Sequence, residues 1–577
     1  MTSMREEKPA PGATDRPWLS HYPDGVDWNS HFEAKPLYAL ADEAVAGYPD
    51  NCAVEFLGKR FSYGEIGRLI DRAAKGFQQL GVRKGVHVGL YLPNCPQFII
   101  CYFAILKAGG TVVNFSPLYS EPELVHQAED SKTEIMVTLD VKALYPKALT
   151  VLKTSCVDRL VVGNLPEVLP FPKNLLYPLV QRKTIAEVEW DSFHVRFADL
   201  LQNDGTPEPV EIDPHADLAV LQYTGGTTGV AKGASLTHAN VYINACQTAA
   251  WFQGAGAHMA TERIMGVLPL FHAFAMTCIM NVGMRMAAEV ILHPRFHLDD
   301  VMADIGRKKA SVLCGVPTMF TAILHSPNLA KRDISSLKYC FSGGAPLPLE
   351  IIKSWQEATG GAIFEGYGLS ECSPVATANP VSKMKAGSIG LPLPQTDIVI
   401  TDKDDPQKVL GTGETGEINI VGPQVMKGYW NNPGETAKTI VNGRLRTGDV
   451  GYTDEEGYTF IIDRMKDMIL VSGFNVFPRV VEEALYAHPS VAEAIVIGIP
   501  DEYHGEVPKA FVRLKDPNDK VTPDELITFL RKRLGKHEIP AAIEFRKELP
   551  KTLVGKLSKK ELEEEEREKR ESAKQQA

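Results

Sequence analysis

The chain is 577 residues long, which exceeds one small module and predicts several folding units. Hydrophobic residues make up 44% of it and charged residues 23%, a globular composition that excludes a disordered or fibrous chain. The net charge of −11 and the pI of about 5.8 provide no overall positive field, which argues against a nucleic-acid-binding protein.

The cysteines and the hydrophobic pattern bear on cellular location. The nine cysteines contain no C-x-x-C pair, so neither a disulfide framework nor a zinc site is indicated, and a reducing cytosol fits best. The first residues, MTSMREEKPAPGATDRP, lack the apolar core of a secretory signal. No apolar stretch reaches the roughly 18 to 20 residues that a membrane-spanning helix needs. We therefore expect a cytoplasmic protein.

Strand and helix signals alternate through the first part of the chain. FSYGEIGRLIDRAAKGFQQLGV predicts a strand, a turn and an amphipathic helix that ends at Gly81. The alternation continues through VHVGLYL, FIICYFAILKAGG, TVVNF, ELVHQAEDS and EIMVTL. Because such alternation is typical of parallel sheets, we predict an α/β fold.

The pattern changes after residue 390, where IVIT, EINIVG, GYTF and MILVS predict short strands of a β-rich subdomain. From about residue 467, new strand and helix signals predict a small α+β domain. The predicted organisation is a partly flexible N-terminal extension (1–30), a large domain (31–465), a small C-terminal domain (466–562) and a charged tail (563–577).

A loop rich in glycine and threonine, YTGGTTGVAKG at 223–233, is the strongest local signal. It follows the apolar run LAVLQ and precedes a helix-like stretch that begins near Leu236, which predicts a strand, a loop and a helix. Glycines expose backbone N–H groups, threonines add hydroxyls and Lys232 adds positive charge, as a phosphate site requires. Ala231 before Lys232 excludes a Walker A motif. A flexible loop with a solvated lysine is the alternative.

A second glycine-rich segment, Gly411–Gly416, has the spacing of a dinucleotide fingerprint. The residues that follow it, EINIVG, predict a strand instead of a helix, and no βαβ unit surrounds them. We therefore predict a hairpin turn here and exclude NAD binding.

Five motifs, in order and spacing, resemble those of the adenylate-forming enzyme superfamily: YTGGTTGVAKG, EGYGLSE (365–371), TGD (447–449), DRMKDMILVSGFNVFP (463–478) and PKTLVGK (550–556). The residues around them are most similar to bacterial long-chain fatty acid–CoA ligases, over about residues 17–562. The resemblance implies an ATP-dependent ligase that forms an acyl-adenylate with release of pyrophosphate and then transfers the acyl group to CoA with release of AMP. It further implies that 31–465 is the adenylation domain and that the C-terminal domain is mobile.

The chemistry explains why such a site needs cations. A carboxylate does not react with a thiol until it is activated, and activation by ATP brings two anions together, so positive charge and a metal must neutralise them. By resemblance, Thr224 and Glu371 position Mg²⁺ on ATP, and Lys232 contacts the phosphates. A surface acid or a helix cap is the alternative for Glu371.

The resemblance implies a large set of nucleotide-binding residues. They are Thr224, Gly225, Gly226, Thr227, Thr228, Gly229, Lys232, Gly343, Gly344, Ala345, Glu365, Gly366, Tyr367, Gly368, Ser370, Asp449 and Arg464. The Gly343–Ala345 backbone would lie against the adenine and Tyr367 would stack on it. Asp449 would accept the ribose hydroxyls, assisted by Arg464. A tight turn, a core tyrosine and a turn aspartate are the alternatives.

The resemblance also assigns residues to the reacting groups. Lys556 would reach from the small domain to the acyl carboxylate and the α-phosphate, and His272 would line the acyl cavity. Rotation about Lys466 would then replace Lys556 by the CoA channel, edged by Gly473 and Phe474. A solvated lysine and a core histidine are the alternatives.

Several points stay open at this stage. Ser370 stands where threonine is commoner, Asp463 where glycine is commoner and Val480 where many members carry glutamate. The apolar stretch Phe271–Met286 predicts either an acyl tunnel or core packing. A ligase for an aryl or other carboxylic acid, and a non-catalytic acyl or nucleotide sensor, are the alternative functions. A homodimer and peripheral membrane contact are further expectations, although no clear amphipathic anchor is apparent.

Overall fold

The computed structural model describes residues 16–224, 231–552 and 555–576, with the backbone alone at 573–576. Up to residue 254, strands alternate with helices as predicted. The strands are β1 (Cys52–Phe56), β2 (Lys59–Ser62), β3 (His87–Leu90), β4 (Thr111–Asn114), β5 (Thr133–Leu139), β6 (Arg159–Gly163), β7 (His194–Arg196), β8 (Leu218–Thr224) and β9 (Lys232–Thr237). The helices are α1 (Ala39–Gly47), α2 (Tyr63–Gln79), α3 (Pro96–Lys107), α4 (Glu121–Ser131), α5 (Tyr145–Thr154), α6 (Lys173–Val180), α7 (Phe197–Leu200) and α8 (His238–Gly254), with 3₁₀ turns at Pro17–His21, Pro166–Val168 and Arg182–Thr184.

Helix α2 shows why these segments fold locally as predicted. The Ser62 hydroxyl accepts the Glu65 backbone N–H at 3.1 Å, and the Glu65 carboxylate accepts the Ser62 N–H at 2.7 Å, which forms a capping box. The apolar face of α2, with Ile66, Ile70 and Phe77, is buried. This face therefore supplies the core while the cap fixes the start of the helix.

Residues 263–464 complete the large domain. The strands are β10 (Arg263–Gly266), β11 (Glu289–Leu292), β12 (Val312–Gly315), β13 (Tyr339–Ser342), β14 (Ile363–Gly368), β15 (Val375–Ala378), β16 (Leu391–Pro392), β17 (Asp397–Thr401), β18 (Gly416–Val421), β19 (Gly428–Tyr429), β20 (Ile440–Val441), β21 (Arg444–Thr453) and β22 (Thr459–Arg464). The helices are α9 (Ala273–Ala275), a π-helix (Met276–Asn281), α10 (Val282–Arg285), α11 (Leu298–Lys308), α12 (Pro317–Leu324), α13 (Leu349–Thr359) and α14 (Pro433–Thr439), with 3₁₀ turns at Leu329–Lys331, Ser370–Cys372 and Val381–Lys383.

Two large sheets form the frame of this domain. One has the order β19-β9-β8-β4-β3-β5-β6-β7 and the other β16-β15-β14-β13-β12-β10-β11-β1-β2. Most neighbouring strands in both sheets are parallel, so the predicted α/β class is confirmed. The glycine-rich segments leave the carboxyl ends of β8, β13 and β14, where sheets of this kind bind ligands.

A smaller antiparallel sheet has the order β17-β18-β21-β20, with β22 also paired to β21. Gly411–Gly416 leads from β17 into β18, and these two strands pair in antiparallel register. The predicted hairpin turn is therefore confirmed.

The predicted strand, loop and helix around the glycine- and threonine-rich loop is partly wrong. A second strand, β9, follows the loop and pairs antiparallel with β8, so Leu236 lies in a strand. Helix α8 begins at His238 because Thr237 and Asn240 cap it. The Thr237 hydroxyl accepts the Asn240 N–H at 3.2 Å, and the Asn240 side chain accepts the Thr237 N–H at 2.9 Å.

The small domain has its own elements and core. Its strands are β23 (Ile469–Val471), β24 (Phe474–Val476), β25 (Val491–Asp501), β26 (Gly505–Leu514) and β27 (Ala542–Phe545). Its helices are α15 (Pro478–Tyr486), α16 (Pro523–Leu530) and α17 (Lys560–Gln576), with 3₁₀ turns at Met465–Asp467 and Lys536–Glu538. Val481, Leu485, Val496 and Leu526 are buried together, which is typical of a domain that folds around its own centre. The MILVS segment belongs to this sheet and not to the β-rich subdomain.

Both ends of the described chain are held against the rest. Arg16 forms an ion pair with Asp397 at 3.0 Å, so the second half of the predicted extension packs on the large domain. The predicted charged tail from residue 563 lies within α17, where Lys509 pairs with Glu566 at 2.8 Å. Among the described residues, no helix has both the length and the apolar character to cross a bilayer.

Candidate active site

The predicted phosphate loop lies in the chain between β8 and β9. Thr224 ends β8, Lys232 begins β9, and the two are direct partners in the ladder. The Thr224 hydroxyl donates to the Lys232 carbonyl oxygen at 3.4 Å, which ties the two ends of the loop together. The predicted ligands between them lie outside the described residues: Gly225, Gly226, Thr227, Thr228 and Gly229.

The Lys232 side chain is held by two residues that no motif contains. Its Nζ lies 2.9 Å from Oε1 of Glu435, on α14, and the hydrogen bond from Lys232 lowers the pKa of that carboxyl. The same ammonium lies 5.4 Å from the centroid of the Tyr429 ring, within cation–π range. Both partners are distant in the chain, which is why sequence patterns do not reveal them.

Tyr429 also fixes Glu371. Its hydroxyl donates to Oε1 of Glu371 at 2.7 Å, across 58 positions of the chain. Burial, and then the charge of Glu371, raise the pKa of Tyr429, so the phenol stays protonated and donates. Because Tyr429 lies on β19, beside β9, one aromatic side chain orients both Lys232 and Glu371.

A pocket of about 310 Å³ opens beside Glu371. It is lined by Leu369, Glu371, Glu417, Tyr429, Glu435, Lys438, Thr439, Arg446, Thr447 and Gly448. Within residues 16–224, 231–552 and 555–576, no group of three or more His, Cys, Asp or Glu side chains forms a metal site by itself. The chemistry of Glu371 nevertheless fits Mg²⁺, because a hard carboxylate oxygen next to the predicted phosphate loop suits a metal that takes its other oxygens from phosphate and water.

Three predicted nucleotide residues meet at the predicted ribose position. Asp449 accepts the Tyr367 hydroxyl at 2.5 Å on Oδ2 and the Arg464 Nε–H at 3.0 Å on Oδ1. Strand pairing explains the second contact, since Asp449 and Arg464 are direct partners across β21 and β22. Burial, and then Asp449, raise the pKa of Tyr367, whereas Asp449 is the main reason that the pKa of Arg464 is raised.

Lys556 enters the large domain over the glycine turn after β13. A Cβ added to Gly344 would lie 2.7 Å from Lys556 Cε and 2.9 Å from its Nζ. The backbone of Gly344 also has a φ of +80°, so both its conformation and the space favour glycine. Thr318 donates to the Gly555 carbonyl at 2.6 Å and holds the neighbouring backbone. The turn that was predicted for adenine thus also accommodates the lysine.

The charge states of Lys556 and His272 differ. Burial, and then the Arg464 cation, lower the pKa of Lys556 to about 8, so most of it is protonated at pH 7. Burial, and then Lys556, lower the pKa of His272 to about 3, so its imidazole is neutral. The His272 Nδ1 accepts the Phe274 N–H at 3.3 Å at the start of α9. The pair therefore presents one cation and one neutral ring.

The remaining predicted residues of β14 have structural partners. Glu365 is buried and accepts the Leu347 N–H at 3.0 Å, and burial raises its pKa to about 7. It thereby supports the chain that follows Ala345. A Cβ on Gly368 would lie 1.7 Å from the Pro374 carbonyl oxygen, so this glycine is required for close packing.

Two further predicted residues, Gly366 and Ser370, lie in the stretch from β14 to Glu371. Gly366 lies in β14 opposite Ala378 of β15. Ser370 opens the short 3₁₀ turn that carries Glu371.

Asp463 links the two sides of the predicted hinge. Its carboxylate accepts the Arg464 N–H at 2.7 Å on Oδ1 and the Arg479 N–H, in the first turn of α15, at 2.8 Å on Oδ2. Lys466 lies between these partners in the chain, in the 3₁₀ turn Met465–Asp467. The sequence shows Asp463 at a position where glycine is commoner in the family, but it does not reveal this contact.

The predicted CoA residues lie on an exposed hairpin of the small domain. Gly473, with a φ of +86°, and Phe474 form the turn between β23 and β24. Phe474 is 59% exposed and stacks on His537 of the same domain, with ring centroids 4.9 Å apart. The small domain thus presents Lys556 to the large domain while this hairpin stays exposed.

Comparison with known proteins identifies the class. The model of the AMP-binding enzyme family matches residues 41–430, and that of the AMP-binding enzyme C-terminal domain matches residues 480–556. The chain belongs to this family. The solved structure of ATP-bound MatB from Rhodopseudomonas palustris has a TM-score of 0.81 at 27% identity and covers 92% of this chain and 99% of that one.

Within the family, the chain is similar to fatty acid ligases. It is 43% identical over 561 residues to a long-chain-fatty-acid–CoA ligase of Bacillus subtilis, with 96% of this chain and 99% of the relative covered. A long-chain-fatty-acid–CoA ligase of Escherichia coli O157:H7 is 37% identical over 95% of this chain and 98% of its own length. These comparisons confirm the superfamily that the five motifs predict.

Proposed function

We propose that this protein is an ATP-dependent long-chain fatty acid–CoA ligase that works through an acyl-adenylate. The observation that carries the proposal is the position of Lys556 across Gly344, in a chain 43% identical over nearly its full length to such a ligase. A probable 4-coumarate–CoA ligase of Dictyostelium discoideum is less similar, at 33% identity over 92% of this chain, which favours a fatty acid over an aryl acid.

In the first half-reaction, a carboxylate oxygen of the fatty acid attacks the α-phosphorus of ATP. The bond to the β-phosphate oxygen breaks and pyrophosphate leaves. The protonated Lys556 meets the negative charge that develops between the two anions, and its burial strengthens this interaction. Neutral His272 adds no charge and is suited to orienting the carboxylate by a hydrogen bond.

Three groups of residues hold the nucleotide in this proposal. Asp449, already bonded to Tyr367 and Arg464, accepts the ribose hydroxyls. The chain between Thr224 and Lys232 holds the β- and γ-phosphates, and Glu435 releases Lys232 to them. Glu371 and Thr224 would hold Mg²⁺, which would neutralise part of the triphosphate charge.

In the second half-reaction, the CoA thiolate attacks the acyl carbon, and the bond to AMP breaks. We propose that rotation about Lys466 withdraws Lys556 and brings in the hairpin with Gly473 and Phe474. Lys466→Pro, which fixes φ at the hinge, is expected to change the two half-reaction rates unequally. Single-turnover rates for each step measure this, and an unchanged ratio would count against the hinge.

The acyl chain needs an apolar channel, and we propose that the chain after His272 lines it. Met276, Met280 and Met284 are buried in or next to the π-helix, a conformation that is frequent at functional sites. Core packing explains the same burial, so a substitution series at these methionines is needed to separate the two roles.

The decisive experiment measures AMP formation that depends on CoA and acid, using saturated fatty acids of increasing length beside 4-coumarate and benzoate. We expect the highest kcat/KM with long-chain acids. Faster turnover of the aryl acids would favour the aryl ligase, and a protein that binds acyl chains or ATP without AMP formation would be a sensor.

The proposal also covers the location and the oligomeric state of the enzyme. We propose peripheral contact with the inner face of the cytoplasmic membrane, since a long-chain fatty acid partitions into lipid. A homodimer stays a prediction, and light scattering of the purified protein measures it.

A further inference from the structure

Five large apolar side chains are exposed together on and beside helix α6: Phe171, Leu175, Leu176, Leu179 and Val180. The exposed fractions reach 79% for Phe171, 75% for Leu179 and 73% for Val180. Globular proteins rarely leave a contiguous apolar surface of this kind in water unless it binds something. We call these five residues the α6 patch.

The helix presents the patch on one side. With about 3.6 residues per turn, positions 175, 176, 179 and 180 fall on the same half of the helix surface. Tyr177, on the other half, packs against the main hydrophobic core. The core therefore fixes the orientation of α6, and the patch points away from the protein.

Contacts on both flanks make this surface a fixed platform. The Lys173 ammonium donates to the Leu57 carbonyl oxygen at 2.9 Å, on the turn between β1 and β2. Beyond the helix, the Lys142 N–H donates to the Thr184 carbonyl oxygen at 2.8 Å. The exposed side chains thus belong to an anchored element.

The charged residues within three positions of the patch in the chain are cations, while Glu167 and the exposed Glu187 lie farther along the chain on either side. Lys173, Arg182 and Lys183 are all exposed, and no Asp or Glu occurs from Val168 to Ala186. The whole chain, by contrast, carries a net charge of −11. An apolar surface flanked by cations inside an acidic protein is complementary to an anionic lipid surface, where cations meet headgroups and apolar side chains enter the acyl boundary.

We propose that the α6 patch is the surface by which this protein docks on an anionic lipid bilayer, with Lys173, Arg182 and Lys183 on the headgroups. This docking rests on the membrane contact proposed above and names the surface that makes this contact, while vesicle binding itself does not require the ligase activity. It places the protein where a membrane-dissolved fatty acid is most concentrated.

A second copy of the chain fits this surface less well. A two-fold interface would set the patch against itself and bring three positive charges on one copy toward the same three on the other. A bilayer with anionic headgroups covers the same apolar area and neutralises those charges. Self-association is therefore the competing outcome of the test.

The test is sedimentation of the full-length protein, without substrates, with vesicles of phosphatidylcholine containing 30 mol% phosphatidylglycerol or none. We expect binding to the anionic vesicles that weakens with salt. Leu175→Ser/Leu179→Ser should weaken it by about tenfold or more, because each leucine loses its burial in the bilayer. Arg182→Glu/Lys183→Glu should abolish the preference for phosphatidylglycerol.

Matched variants elsewhere on the surface serve as controls. Val409→Ser removes an exposed apolar side chain, and Lys331→Glu/Arg332→Glu reverses an exposed adjacent pair of the same two residue types. Both should bind like the wild type. Unchanged thermal unfolding and unchanged activity on a short, water-soluble fatty acid show that the patch variants are folded.

Three results would overturn the proposal. These are a wild-type protein that ignores anionic vesicles, patch variants that bind as well as their controls, and a dimer by light scattering that the patch substitutions dissociate. Because binding is measured without ATP, CoA or fatty acid, failure here is distinguishable from failure of the ligase activity.

Discussion

Lys556 and the hairpin that carries Phe474, both in the small domain, differ in how much protein surrounds them. Lys556 lies across Gly344 of the large domain, buried enough that its pKa falls to about 8. Phe474, by contrast, is 59% exposed and stacks on His537 of its own domain. In the function proposed above, this contrast corresponds to the adenylation arrangement, and the proposed turn of the small domain precedes the second half-reaction.

Removing the Lys556 ammonium is the most direct test of this difference between Lys556 and Phe474, and it is expected to have the largest effect. Lys556→Ala is expected to slow adenylation by about 100- to 1,000-fold, the usual cost of losing one group that stabilises transition-state charge. Thioesterification of a preformed acyl-adenylate should be nearly unchanged. Exchange of labelled pyrophosphate into ATP measures the first step, and release of AMP from the adenylate measures the second.

Lys551→Ala is the matched control for this prediction, since Lys551 is an exposed lysine in the same segment that pairs with Glu493 at 2.8 Å. It should leave both half-reactions close to the wild-type rates. Equal losses of both steps in Lys556→Ala would contradict the assigned role.

Asp449→Asn tests a residue that both halves of the reaction share. The amide keeps the shape but loses the charge that pairs with Arg464, and it offers a single acceptor oxygen to Tyr367 and to the ribose. We expect both half-reactions to fall by about ten- to 100-fold, mainly through a higher KM for ATP. The conservative control is Asp397→Asn, at a half-buried ion pair with Arg16.

A selective loss of one step in Asp449→Asn would mean that the ribose site differs between the two arrangements. Such a result would contradict the proposal that Lys556 and Phe474 approach the same bound nucleotide in turn.

The sequence predicts the fold class because the signals that define its helices and strands are local. Gly81 closes α2 and Ser62 caps it, and both signals lie within a few positions of the helix they define. The extra strand β9 was missed because KGASLT lacks a strong strand pattern and is held by pairing with β8.

Contacts between distant positions account for what the sequence did not predict. Tyr429 reaches Glu371, and Glu435 reaches Lys232, through strand order that no motif encodes. The α6 patch was also missed, because LLYPLV is apolar all along its length and its exposure depends on how Tyr177 is anchored.

The pH dependence of the adenylation rate tests the role of the Lys556 charge. Because its pKa is about 8, the ammonium is mostly protonated below pH 8 and is lost as the pH rises through that value. Adenylation should therefore decline above pH 8 and be about tenfold lower at pH 9 than on its plateau. Lys556→Arg, which stays charged, should flatten this decline, and an identical decline in that variant would assign it to another group.

The smallest expected effect concerns Asp463, whose carboxylate accepts backbone N–H groups from Arg464 and Arg479 on either side of Lys466. Asp463→Gly removes both acceptor oxygens. Losing these hydrogen bonds should destabilise the domain arrangement used for adenylation, which lowers the adenylation rate about three- to tenfold. Thioesterification should be unchanged or faster, because the small domain is freer to turn. Asp463→Asn keeps one acceptor and should lie between the two. If both half-reactions fall together while thermal unfolding shifts, Asp463 stabilises the fold and does not favour one arrangement over the other.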